Sequence, residues 1–87
     1  MTKFFKREIR CVLHRKMGRS TVKLWTRHYS SIENALKKGV ELSILTGQPG
    51  DVLEITHANF EFLIATLKLK VGVTKRSNME IKFYLKD

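Results

Sequence analysis

Two alternating segments meet at Lys16-Met17-Gly18-Arg19, and the turn between them decides which side chains can share a core. Upstream, Ile9, Cys11 and Leu13 alternate with Glu8, Arg10, His14 and Lys16, and only Val12 breaks the polarity. Downstream, Val22 and Leu24 alternate with Lys23, Trp25, Arg27 and Tyr29. Successive side chains of a strand point to opposite faces, so a one-residue slip moves a whole set from core to solvent. A loop of Met17 and Gly18, or one running from Lys16 to Arg19, sets Leu13 opposite Val22, Cys11 opposite Leu24 and Ile9 opposite Thr26. A three-residue loop sets core residues against charges and is discarded. The expected hairpin, whose first strand runs from Phe5 to Lys16, therefore buries Val22 and Leu24. It pairs Arg10 with Trp25, and Glu8 with Arg27, on its outer face.

Ser30 and Glu33 have the S-x-x-E spacing of a capping box, followed by Ile32, Ala35, Leu36, Gly39, Val40 and Ser43 on one helical face. Asn34, Lys37, Lys38 and Glu41 take the other face, and Gly39 is expected where helix and sheet approach most closely. The helix should stop at TGQPG, with Gly47 left-handed at C′ and Pro49 unable to continue the ladder. Residues 51–56 read as a short strand.

The next stretch carries two periods: Phe60, Leu63, Ile64 and Leu67 suit a helix, while Leu63, Ala65, Leu67, Leu69, Val71 and Val73 suit a strand. The expectation is a turn or short helical piece near 58–65, then a strand over 66–74. KRSN turns the chain into a last strand with Met79, Ile81, Phe83 and Leu85 inward. The whole reads as an α+β fold, a small antiparallel sheet packed by one main helix, in the order strand-strand-helix-strand plus a C-terminal hairpin.

Eighty-seven residues make one domain, 1–87, with a single thin core. A hydrophobic fraction of 43% suits a folded chain. The net charge of +9 is concentrated at the ends. Residues 1–30 hold nine Lys and Arg against Glu8 alone, residues 31–66 hold Lys37 and Lys38 against five acids, and residues 67–87 hold six cations against two acids. Such a balance steers anionic partners toward the protein.

Cys11 is the single cysteine, so no intramolecular disulfide forms; its phase makes it an inert core thiol. MTKFFKREIR lacks the apolar run of a signal peptide, and FEFLIATL falls far short of the roughly 20 residues that span a bilayer. A cytoplasmic protein without a membrane partner is expected.

Catalytic chemistry has little support. His14, His28 and His57 are scattered without an i, i+4 pair, which leaves no metal site in view. No Gly-rich loop opens a helix, and neither a catalytic residue nor a cofactor is expected. The stronger constellation is Lys23, Trp25, Arg27 and Tyr29 on one strand, with Arg10, His14, Lys16 and Arg19 beside it. Rings of this kind stack on bases while cations hold phosphates. The same Trp25 also suits a second core under the closing hairpin.

The basic GRSTVKLW hairpin running into SSIENALKKG resembles, over residues 9–46, the DNA-binding arm modules of phage integrases, in which a small sheet abuts a helix. In element order and size, residues 9–56 are also similar to small host-takeover proteins of T7-like bacteriophages, such as their inhibitor of bacterial RNA polymerase; the closing hairpin departs from the short ending of that inhibitor. The likeness implies an accessory phage protein acting in the host cytoplasm. The leading expectation is a non-enzymatic protein that binds DNA or RNA through a basic, aromatic sheet face. The rivals are an effector that inhibits an acidic host protein, and a structural protein that self-associates through a sheet edge.

Overall fold

The computed structural model describes residues 8–58, 60–70 and 79–84. It is a small α+β fold: a five-stranded antiparallel sheet of β1 (Ile9–Met17), β2 (Ser20–Tyr29), β3 (Val52–His57), β4 (Phe62–Leu69) and β5 (Met79–Phe83), in the order β2-β1-β3-β4-β5. Both β2 and β3 are antiparallel to β1, so they run the same way and cannot be joined by a tight turn. One continuous helix makes that crossing, as α1 (Ile32–Asn34), a π-helical segment (Ala35–Gly39) and α2 (Val40–Thr46).

The hairpin is real, but its register is not the expected one. Met17 pairs with Ser20, so the turn is Gly18 and Arg19, and Gly18 takes the positive φ of 66° that a tight hairpin asks of its first central residue. Continued without interruption, this register would set Leu24 opposite Leu13. Instead His14 pairs with Lys23 and Leu13 with Trp25, which leaves Leu24 as the extra residue of a β-bulge. Past the bulge Cys11 faces Arg27 and Ile9 faces Tyr29, so Trp25 and Tyr29 join the side of Ile9, Cys11 and Leu13. The bulge exchanges burial of Leu24, now 36% exposed, for packing of two large rings against the core.

Ile9, Cys11, Leu13, Leu53, Ile55, Ala65 and Leu67 form one buried layer with Ala35 of the helix, and Ile32, Leu36 and Val40 pack on it. The expected helical face is the one that docks. A Cβ at Gly39 would lie 3.0 Å from Cys11 Sγ and 3.6 Å from Tyr29 Cε2, so a hydrogen there sets how closely helix and sheet approach. Burial beneath it pushes the Cys11 thiol up to about 12 and keeps it protonated at neutral pH.

The helix cap is Ser31, not Ser30: its hydroxyl accepts from the Asn34 N–H at 3.1 Å, and Glu33 lies in the first turn, where its charge suits the helix dipole. Ser31→Ala is therefore expected to cost about 1 kcal/mol in urea unfolding, and Ser30→Ala close to nothing. Equal losses for the two would overturn this assignment.

Gly47 also differs from expectation. Its φ of −92° and ψ of 175° are extended rather than left-handed. What requires glycine there is space, since a Cβ would fall 2.6 Å from Leu69 Cδ1 and 2.6 Å from the Ser43 carbonyl oxygen.

Of the two alternatives expected near 58–65 the turn forms, and it is shorter than expected, with β4 starting at Phe62 instead of near 66. His57 O accepts from Phe60 N and Glu61 N, Glu61 takes a φ of 56°, and β4 begins at Phe62. Strand wins because Ala65 and Leu67 then lie against Ile55 and Leu53 of β3, while a second irregularity, between Ile55 and Thr56, lets Ile64 pack on the core as well. In the last strand Ile81 and Phe83 do lie on the core side, pairing with Leu67 and Ala65, but they are not inward as expected, since both remain exposed. The expectations for residues 5–7, 71–78 and 85 lie outside the described residues.

Candidate nucleic-acid interface

The helix covers one face of the sheet and leaves the other open. On the open face the register places Arg10, Val12, His14 and Lys16 of β1, Thr21, Lys23, Thr26 and His28 of β2, Val52, Glu54 and Thr56 of β3, Leu63, Thr66 and Lys68 of β4, and Glu80 and Lys82 of β5, with Val12 and Thr56 buried among them. A shallow trough of about 430 Å³ runs across it, lined by His14, Lys16, Thr21, Val52, Glu54, Thr66 and Lys68, with Gly50 at its rim. His14 Nε2 and Glu54 Oε1 lie 3.0 Å apart within the trough. Among the described residues, Arg10, Lys16, Lys23, Lys68 and Lys82 have no ion pair, and all but the half-buried Arg10 are exposed.

The expected site is thus divided by the bulge. Arg10, His14, Lys16 and Lys23 come together on the open face, and Arg19 stands exposed in the adjoining turn. Trp25, Arg27 and Tyr29 belong to the opposite side, with the helix. Trp25 Nε1–H donates to Thr46 Oγ1 at 2.8 Å, and that hydroxyl donates in turn to the Leu42 carbonyl at 2.7 Å. The ring therefore clasps the last turn of the helix to the edge strand, and it does so from beside the helix rather than under the closing hairpin. Arg27 spreads its guanidinium 5.8 Å from the centre of the Trp25 ring. Burial raises the Tyr29 phenol above its ordinary value, as befits a ring packed on the core.

Arg15 sits between the trough residues His14 and Lys16 in the chain but points to the other face. Its Nε and Nη2 donate to Asp51 Oδ1 and Oδ2 at 3.0 and 2.8 Å, and the hydrogen bond to Asp51 holds the guanidinium above its usual range. Gln48 N–H donates to the same Asp51 Oδ2 at 2.8 Å, so this pair ties the hairpin to the chain leaving the helix. It is a structural device.

Lys68 and Lys82 were missed in choosing candidate residues, as were the hydroxyls of Thr21, Thr56 and Thr66. Their signal was present: Lys68 separates Leu67 from Leu69, and Lys82 separates Ile81 from Phe83, so each belongs to the polar side of an alternating strand. Chemically, the open face offers point cations, hydroxyl donors and the carboxylates of Glu54 and Glu80 around a shallow trough, and no Phe, Tyr or Trp lies on β1 or β3 at its centre. Among the described residues no helix is long and apolar enough to cross a membrane. Compared with known proteins, the chain matches no family model, no curated protein and no solved structure.

Proposed function

We propose that this is a non-enzymatic protein that binds nucleic acid along the phosphate backbone, through the face of the sheet that the helix leaves open. One observation carries the reading: Arg10, Lys16, Lys23, Lys68 and Lys82, from four strands, gather on that face without ion pairs among the described residues. Cations held on neighbouring strands neutralise phosphates without reading bases, and threonine hydroxyls donate to the same oxygens. With Trp25 engaged by the helix, base stacking drops out of the mechanism, and binding should be blind to sequence.

Fluorescence anisotropy with a labelled oligonucleotide over a salt series tests this directly. Log affinity should fall steeply against log salt, and Lys68→Ala should weaken binding to every sequence alike while reducing the slope by about one unit. A salt-independent affinity, or an unchanged slope in Lys68→Ala, would refute the reading. Nuclease-resistant capture of an acidic protein from bacterial lysate would instead favour an effector of a host protein.

A further inference from the structure

A sheet of this kind has two edges, and they are treated differently. The outer strand β2 is ten residues long, but a bulge at Leu24 interrupts it and the exposed Lys23 and Arg27 flank that bulge. Bulges and cations are the usual means of stopping an edge from pairing with another chain. The other edge, β5, carries one cation, Lys82, but among the described residues no bulge interrupts its pairing with β4. Ile81 and Phe83 lie on the helix side opposite the buried Leu67 and Ala65, yet they are 50% and 59% exposed, because the helix covers β1 and does not reach this far. On the open face the same strand carries Glu80 and Lys82.

The order Met79-Glu80-Ile81-Lys82-Phe83 is self-complementary about its centre. An antiparallel copy laid against it with Ile81 opposite Ile81 sets Glu80 opposite Lys82 twice, once in each direction, and sets Phe83 opposite Met79. Opposite charges directly across an antiparallel pair attract, and Ile81 and Phe83 bury area that the monomer leaves in water. We infer that β5 is a homodimerisation edge, through which two copies join their sheets into one of ten strands around a twofold axis at Ile81.

The axis stands perpendicular to the sheet, so both helices fall on one side and both open faces on the other. A β-strand addition of this sort gains its affinity from main-chain hydrogen bonds and its register from side chains. Here the register comes from the two Glu80–Lys82 pairs, since a slip of one residue would set each charge against an apolar residue, and a slip of two would set Glu80 against Glu80 or Lys82 against Lys82. The inference stands independently of nucleic-acid binding.

Sedimentation equilibrium on the full chain, without nucleic acid, tests it by charge exchange. Glu80→Lys and Lys82→Glu each replace two attractive pairs with two repulsive ones, and each variant alone should dimerise about tenfold or more weakly than the parent chain. Mixed in equal amounts, the two should recover association, because one chain then offers only cations and the other only carboxylates at positions 80 and 82. That recovery also shows that both variants remain folded. A parent chain that stays monomeric at every attainable concentration would overturn the inference, as would variants that self-associate as well as the parent or a mixture no tighter than either alone.

Discussion

Trp25→Ala should lower the stability of the protein by about 3 kcal/mol and leave its affinity for oligonucleotides unchanged under conditions where it stays folded. The ring packs against the buried core from the edge strand, and its indole N–H reaches Thr46 at 2.8 Å, so truncation removes apolar contacts and opens the seam between β2 and the last turn of the helix. Trp25→Phe separates these contributions, because it keeps most of the packing and loses only the donor; its cost should be near 1 kcal/mol. Urea unfolding followed by far-ultraviolet circular dichroism reads both. A weakened affinity in a fully folded Trp25→Ala protein would return the ring to the binding surface and overturn its structural role.

A comparable loss is expected at Asp51. The residue is 2% exposed and its carboxylate receives two hydrogen bonds from Arg15 and one from the Gln48 N–H. Its own backbone joins β4, with Leu69 N–H donating to Asp51 O at 2.9 Å. Asp51→Ala removes the acceptor that the guanidinium and the Gln48 N–H share, and it should cost about 3 kcal/mol in urea unfolding. Asp51→Asn retains an oxygen for Gln48 while discarding the charge, and its cost should fall between those of Asp51→Ala and the parent. If Asp51→Ala unfolds at the same urea concentration as the parent, the pair is not a structural tie.

The helical face was legible because small and apolar residues recur at the helical period, and because a glycine among them has a physical use: Gly39 lies where Cys11 comes closest. The cap was displaced by one residue for a local reason. Ser30-x-x-Glu33 and Ser31-x-x-Asn34 both offer a hydroxyl three residues ahead of an N–H, and choosing between them requires knowing that β2 runs as far as Tyr29. At Gly47 the residue type was read as a backbone angle when the constraint was the nearby Leu69 and Ser43.

The bulge at Leu24 could not be read from the alternation, since nothing in TVKLWTRHYS distinguishes a strand that keeps its phase from one that changes it. What favours the change is tertiary: a helix lying over β1 with room at its flank for Trp25 and Tyr29. The candidate site inherited that error. Its members on β1, together with Lys23, were legible from alternation, whereas Trp25, Arg27 and Tyr29 were assigned to the same face only by carrying the alternation past Leu24. The opposite mistake affected Lys68 and Lys82, whose strands were read for their apolar sides alone.

The extra residue at Leu24 has a further effect on how this chain can vary. It divides the hairpin into a base, where Ile9 to Leu13 meet Trp25 to Tyr29, and a tip, where His14 to Met17 meet Ser20 to Lys23, each with its own phase. A residue gained or lost on the β2 side of the tip, between Ser20 and Lys23, exchanges which of that strand's side chains point toward the trough, while the base keeps every partner it has. Cations around Lys23 can therefore drift or change sides over generations without altering the base, whereas the β1 side of the tip is held in phase by Arg15 and its tie to Asp51.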